Sequence, residues 1–436
     1  MEDSGGTVSR DAGRARSARR RLMAASLAAL LLIAAACGGD DDDGGSEEEE
    51  GVGADEATDI LGPEEAATGD PVKIGMVSDG ATDAFDNRDE LRAAQATAEY
   101  WNAHKGGVAG RPVEVVTCET GADPAGGTDC ANQMVEEEVV AVALSQSAVA
   151  ESVWEPLHAA GVPTFWFQTG GDALATDEQS TFTVASPAAT LFGLPMSVAE
   201  DVDADSIAFV VIDVPQALVL LEEDGPALFE EAGIEMEVVP IAPGTADMTS
   251  QMQQVANSGA DVVQVTGNDA FCVAAFNGLA AVGYEGEIAA IAQCFTDATR
   301  EGVDGEVLEG INVTATQALG AADDPTYQLY QAVVSTFGED VTDIDNNTSM
   351  GGYVAMASLL TSLEELEGDV TFETVIEAIR SMPESELPGG GGTTFQCGAD
   401  VVPDMPAVCS SQSLRTELDA EGNPTTYEVV DSAEES

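Results

Sequence analysis

Short apolar runs alternate with segments in which apolar side chains recur every three or four positions, from residue 72 to beyond 290. The run 72–77 reads as a strand, and 78–87 as the loop that follows it. Leu91, Ala94, Ala98 and Trp101 then recur at spacings of 3, 4 and 3, which predicts a helix. Gly106 and Gly107 stop it. The same alternation predicts strands at 113–117, 139–144, 164–167 and 181–185, with helices near 130–136 and 150–160. A second series begins with the strand 206–212 and a helix near 218–232. Strands at 236–239, 261–266 and 288–292 follow, with a helix carrying Met248, Met252 and Val255 and another over 270–281. Residues 349–381 return to helical spacing, and 393–430 read as short strands and turns. Strands separated by helices of this length imply parallel sheets covered on both faces. About 360 residues of such pattern exceed what one core holds and predict two lobes.

The first 71 residues differ. Arg14 to Arg21 is a basic stretch, 22–36 is apolar, and Ala34, Ala35 and Ala36 lead into Cys37. A basic region, a short apolar region and small residues before the cut read as an export signal, too short to span a membrane as a helix. Residues 38–71 have no hydrophobic period and are rich in Gly, Ala, Asp and Glu, as expected of a solvated tether. The aspartate run 40–43 lacks the alternating ligands and glycine turn of a calcium loop, so a spacer is expected there.

Charge narrows the partners. The chain carries 80 acidic and 14 basic residues, for a net charge of −66. Removing the leader's three acids and six bases leaves 77 and 8. Such a surface repels phosphate backbones, which excludes nucleic-acid binding through a basic footprint. It also repels itself unless salt screens it, over about 10 Å at 0.1 M and about 3 Å at 1 M. A saline habitat is expected. Beyond Cys37, six cysteines fall as three local couples, Cys118 with Cys130, Cys272 with Cys294, and Cys397 with Cys409. No CxxC spacing occurs and both histidines are remote from these couples, so disulfides are expected rather than zinc.

Several stretches carry a family resemblance in order along the chain. They are 72–77, 98–103, 106–113, 160–163, 232–234, 259–263, 281–284 and 352–355. Together these resemble the type I periplasmic binding proteins of the leucine/isoleucine/valine-binding family, the solute receptors of ABC importers, over roughly 72 to 430. Cys37 resembles the lipidated cysteine of bacterial lipoproteins, with Ala34 where Leu is usual. The resemblance implies an α/β fold of two doubly wound parallel-sheet lobes joined by a three-strand hinge. Residues 1–36 would be the signal peptide and 37–71 the tether. Residues 72–187 with 315–390 would form the N-terminal lobe, and 188–314 with 391–436 the C-terminal lobe. The implied function is capture of a small polar solute, an amino acid or related amide, by a monomeric receptor that works with a membrane permease. A sensory ectodomain on the same fold is the alternative. No cofactor or metal is expected, and the absence of a GxSxG, HExxH or phosphate-binding glycine loop argues against an enzyme.

In open α/β sheets ligands sit beyond the carboxyl ends of the strands. That rule selects Ser145, Gln146 and Ser147, whose hydroxyls and free N–H groups at a helix start suit a carboxylate. The resemblance assigns this turn to the ligand carboxylate, and it carries over Gln168 and Thr169 from the next turn. Trp166 points opposite to Phe165 and Phe167 by strand alternation and is a candidate wall. Asp79 follows the first strand, Asp213 and Gln216 follow the strand 206–212, and Asn268 and Asp269 follow the strand ending at 266. Gln293 and Asp297 follow the strand ending at 292, where the resemblance places an acid for a ligand ammonium. A Cys272–Cys294 bridge would brace the cleft rim.

Overall fold

The computed structural model describes residues 59–431, apart from 83–84, 170, 186–188, 215–217, 219–220, 223–224 and 400. Cys37 and the leader lie outside the described residues, as does Gln216. In chain order, β1 (Val72–Ser78), β2 (Val113–Glu119), β3 (Val142–Leu144), β4 (Thr164–Gln168) and β5 (Thr181–Ala185) build one sheet. Next, β6 (Ser206–Ile212), β7 (Glu235–Ile241), β8 (Val262–Thr266), β9 (Glu287–Ile291) and β10 (Asn312–Ala315) build another. A small ribbon follows from β11 (Ser385–Glu386) and β12 (Thr394–Phe395). Then β13 (Val408–Ser410) returns to the first sheet, while β14 (Gln412–Leu418) and β15 (Pro424–Asp431) extend the second.

The first sheet runs β13-β5-β4-β3-β1-β2 and is parallel throughout. The second runs β15-β14-β10-β9-β8-β6-β7, with β14 and β15 antiparallel at one edge. The chain crosses between them three times: after β5, after β10, and between β13 and β14. The two-lobed parallel α/β fold is as expected.

Each sheet is covered on both faces, which is why its strands read as nearly unbroken apolar runs. In the first, Ile74, Met76, Phe165 and Phe167 pack with the helices Arg88–His104, Pro325–Phe337 and Asn347–Ser362. Val77, Leu144 and Trp166 point the other way, onto the helices Pro124–Glu136 and Ala150–Ala160. In the second sheet, Val210, Val263 and Val265 pack on Met252 and Phe276, while Phe209 and Val211 meet Phe192 and Phe229. All three expected cysteine couples are disulfides, with Cα atoms 5.6, 5.4 and 4.3 Å apart in chain order.

Three boundaries differ from expectation. The tether does not reach 71: Leu61 is buried in the first core, and Glu65 and Ala67 donate backbone hydrogen bonds to Ala103 and Asn102 at 2.8 Å. One buried leucine in a polar segment leaves no periodic trace. Of the expected 391–436, Phe395 and Cys397 pack in the first core and Val408–Ser410 pairs with β5, so only the strands from Gln412 on join the second lobe and the last crossover falls near 411. A three-residue strand carries too little pattern to reveal its sheet. The helical stretch 349–381 is two helices, the second (Phe372–Ser381) opened by a capping box on Thr371 and Thr374.

Candidate functional site

The carboxyl ends of β1, β3, β4 and β5 face those of β8 and β9 across a cavity of about 670 Å³. From the first sheet come Asp79, Gln146, Ser147, Ala148, Gln168, Thr169 and Ala185. Thr266, Ile291 and Gln293 come from the second. The turn Ala189–Gly193, just past the first crossing, adds Thr190 and Leu191. Of the expected residues, Asp79, Gln146, Ser147, Gln168, Thr169 and Gln293 line this cavity.

The others do not. Trp166 does point opposite to Phe165 and Phe167, but both faces of β4 are core, and its side chain is fully buried against Val77 and Leu144. Ser145 is buried beneath the cavity, with Gly351 packed close to its hydroxyl. Asn268 caps the helix Asp269–Val282 by accepting from Phe271 N at 3.0 Å, and it borders a separate hollow of about 540 Å³. Asp269 opens that helix and lines neither hollow. Asp213 is exposed at the end of β6. The Asp297 side chain is 96 % exposed and pairs with Arg300 at 3.2 Å, so it is no ammonium acceptor inside the cavity. The strand-end rule picks the right turns, but it cannot tell which side chain of a turn faces inward.

Sequence reasoning missed Phe85, Asn87, Thr190, Leu191 and Thr266. The first two lie at the end of the loop after β1, and Phe85 is 40 % exposed at the cavity rim. Thr266 is the last residue of β8 and so had a legible signal. Its hydroxyl is buried and has no partner in the protein. Such a group normally costs free energy unless something from outside bonds it.

Asp79 organises the near wall. Its Oδ1 accepts from Thr120 Oγ1 and Ser147 Oγ, each at 2.7 Å, and its Oδ2 accepts from Ala148 N at 2.7 Å. Two donors of the turn expected to hold a ligand carboxylate are therefore already bonded to a carboxylate of the chain itself.

Directly behind lies Glu90. Burial pushes its carboxyl up to about 8, opposed by hydrogen bonds from Ser78 and Ser145 and reinforced by the negative charge of Asp79. The local geometry fits a protonated acid. Ser78 Oγ stands 2.5 Å from Glu90 Oε2 and 3.1 Å from Asn87 O, and it accepts from Gly80 N at 3.1 Å. A hydroxyl has one proton. If Glu90 donates to Ser78, that proton is free for Asn87 O and every partner is served. Gly352 lets the helices meet here, because a Cβ on it would stand 2.2 Å from Glu90 O.

The far rim is stapled by Cys272–Cys294, which ties the helix after β8 to the turn holding Gln293. Across the hinge, Gln168 Nε2 donates to Thr316 Oγ1 at 2.9 Å. Among the described residues no cluster of His, Cys, Asp and Glu is arranged to hold a metal ion. Nor is any described helix long and apolar enough to cross a membrane.

Comparison with known proteins agrees with this architecture. No curated protein sequence matches the chain. Solved structures do. A putative branched-chain amino acid ABC transporter protein from Rhodospirillum rubrum superposes with a TM-score of 0.66 at 18 % identity, covering 82 % of this chain and 100 % of that one. A leucine binding protein from Thermotoga maritima gives 0.61 at 20 %, covering 83 % and 99 %. A solute binding protein of an ABC transporter from Rhodopseudomonas palustris, in complex with p-hydroxybenzoic acid, gives 0.64 at 20 %, covering 84 % and 98 %. At these identities the likeness speaks for the fold. The family model described as periplasmic binding protein matches residues 71–409. Two facing parallel sheets, three crossings and a match over most of the folded chain lead to one conclusion: the chain belongs to the periplasmic binding protein family, in its type I form.

Proposed function

We propose that the protein is the extracytoplasmic receptor of an ABC importer, held to the outer face of the membrane by a lipid on Cys37. It captures a small polar solute, an amino acid or related amide, by closing its two lobes, and presents it to a permease. The observation that carries this reading is the cavity itself. Hydroxyl and amide side chains from the ends of four strands, with Asp79 from a fifth, converge on a space of about 670 Å³, within the size range of small-molecule sites. Leucine and other branched-chain amino acids in the names of structural neighbours support the solute class. Binding without chemistry fits a wall whose polar groups are Thr, Ser, Gln and Asn with one carboxylate.

A thermal-shift screen of amino acids, amides, urea and small acids tests it, since a ligand raises stability as ln(1 + [L]/Kd). For the ligand found, Thr266→Val is expected to weaken binding about five- to tenfold while leaving the unliganded melting point unchanged or higher, because the hydroxyl has no partner in the free protein. Unchanged affinity in both Thr266→Val and Thr169→Ala would remove this cavity as the binding site.

A further inference from the structure

We propose that the ligand carries no free carboxylate and offers N–H groups instead: a neutral or cationic amide or amine, received by Asp79 and the surrounding amide and hydroxyl side chains. This rests on the receptor reading above and narrows it.

Three observations converge. First, two donors of the turn after β3, the Ser147 hydroxyl and the Ala148 N–H, are taken. Ser147 Oγ and Ala148 N both donate to Asp79 at 2.7 Å, so an incoming carboxylate would have to displace Asp79 from them. Asp79 is buried and held from a third side by Thr120 Oγ1 at 2.7 Å, so it has no ready alternative position. Second, no cation can compensate. None of the described residues lining the cavity is Lys, Arg or His. Each of the eight Lys and Arg side chains beyond the leader is bonded to a carboxylate or a backbone carbonyl of a residue that is not in the cavity lining. Arg88, the first residue of the helix that follows the lining residue Asn87, is held by Asp86 with Nε–Oδ1 at 2.9 Å. A buried anion beside a buried carboxylate without a counter-ion is unfavourable.

Third, the acceptors that remain suit a donor. Oδ2 of Asp79 receives a single hydrogen bond and keeps a free lone-pair direction. Across the cavity the buried Thr266 hydroxyl has no partner. An N–H pair or ammonium at one end and a carbonyl at the other would satisfy both walls.

Matched pairs decide the point: leucine against leucinamide, p-hydroxybenzoic acid against p-hydroxybenzamide, and acetate against acetamide. Each is measured by calorimetry on the folded wild-type protein at pH 7. At least one amide is expected to bind about tenfold or more tightly than its acid. Asp79→Asn, which keeps the shape and removes the charge, is expected to narrow that ratio at least about fivefold by admitting the acid. If Asp79→Asn does not fold, Ser147→Ala replaces it. Asp79 keeps its charge in that variant, so the amide should still bind more tightly than its acid, and an acid that overtakes its amide there overturns the inference. An acid that binds the wild-type protein as tightly as its amide overturns this inference and leaves the receptor reading standing. Silence toward every amide, acid and amino acid overturns both.

Discussion

Glu90 is a carboxyl held almost wholly out of water. A carboxyl whose folded value is about 8 against an ordinary 4.5 stays protonated in the fold over a range in which the unfolded chain has released its proton. The native state therefore binds one more proton than the unfolded state between those values, and stability falls as pH rises through that window. Glu90→Gln keeps the neutral shape and lacks the titration. Relative to wild type it should gain on the order of 3–5 kcal/mol between pH 4 and pH 9. Urea denaturation at both pH values checks this; parallel curves for the two proteins would show that Glu90 does not titrate in that window. Glu90 was not legible as special beforehand; the place of Thr266 at a strand end was, but not that its hydroxyl would lack a partner. A glutamate in the first turn of a helix ordinarily faces solvent, and only the helix Asn347–Ser362, brought close by Gly352, buries this one. Asp79, by contrast, was selected by its place after a strand. What the sequence could not reveal was that its partners would be Ser147 and Ala148.

Among the elements, strands were more legible than their ends. The apolar runs of β1, β6 and β8 are unmistakable because both faces of a parallel sheet are buried. The turns that follow carry the site, and their side chains face inward or outward according to a few backbone angles that no periodicity encodes. This is why Gln293 lines the cavity and Asp297 lies in water. The Cys272–Cys294 bridge acts at this scale. It closes a loop of 22 residues beside Gln293, for which chain-entropy arguments give about 3 kcal/mol. A Cys272→Ser/Cys294→Ser protein should lose about that much stability and bind ligand more weakly. The equivalent change at Cys397 and Cys409, neither of which lines the cavity, should lower stability while leaving affinity within about twofold. Equal loss of affinity in both double variants would show that stapling the rim has no special effect on the site.

For the whole molecule, the dominant physical quantity is its net charge of −66. Acids outnumber the bases available to pair with them, so most face one another across the surface, and screening rather than pairing relieves the repulsion. Raising salt from 0.1 M to 2 M should increase the melting temperature by several degrees or more; an unchanged value would remove charge repulsion as a limit on stability. Lobe closure belongs to the same scale. A ligand that seals the cavity should reduce the radius of gyration in solution scattering, and Phe85 at the rim should lose exposure to a quencher or solvent probe.

The hydrophobic pattern alone determined the alternating elements and the need for two lobes, because the 3.6- and 2-residue periods are local consequences of which faces must leave water. The strand-end rule located the turns that meet at the cavity, and the spacing of the cysteines placed the three local bridges. Tertiary structure decided the rest. It buried Glu90 and Trp166, and it sent Val408–Ser410 to the first sheet. It also set the carboxylate of Asp79 onto the donors of Ser147 and Ala148. Each of these depends on which segments, distant in the chain, come within hydrogen-bonding or packing distance, and no local period records that.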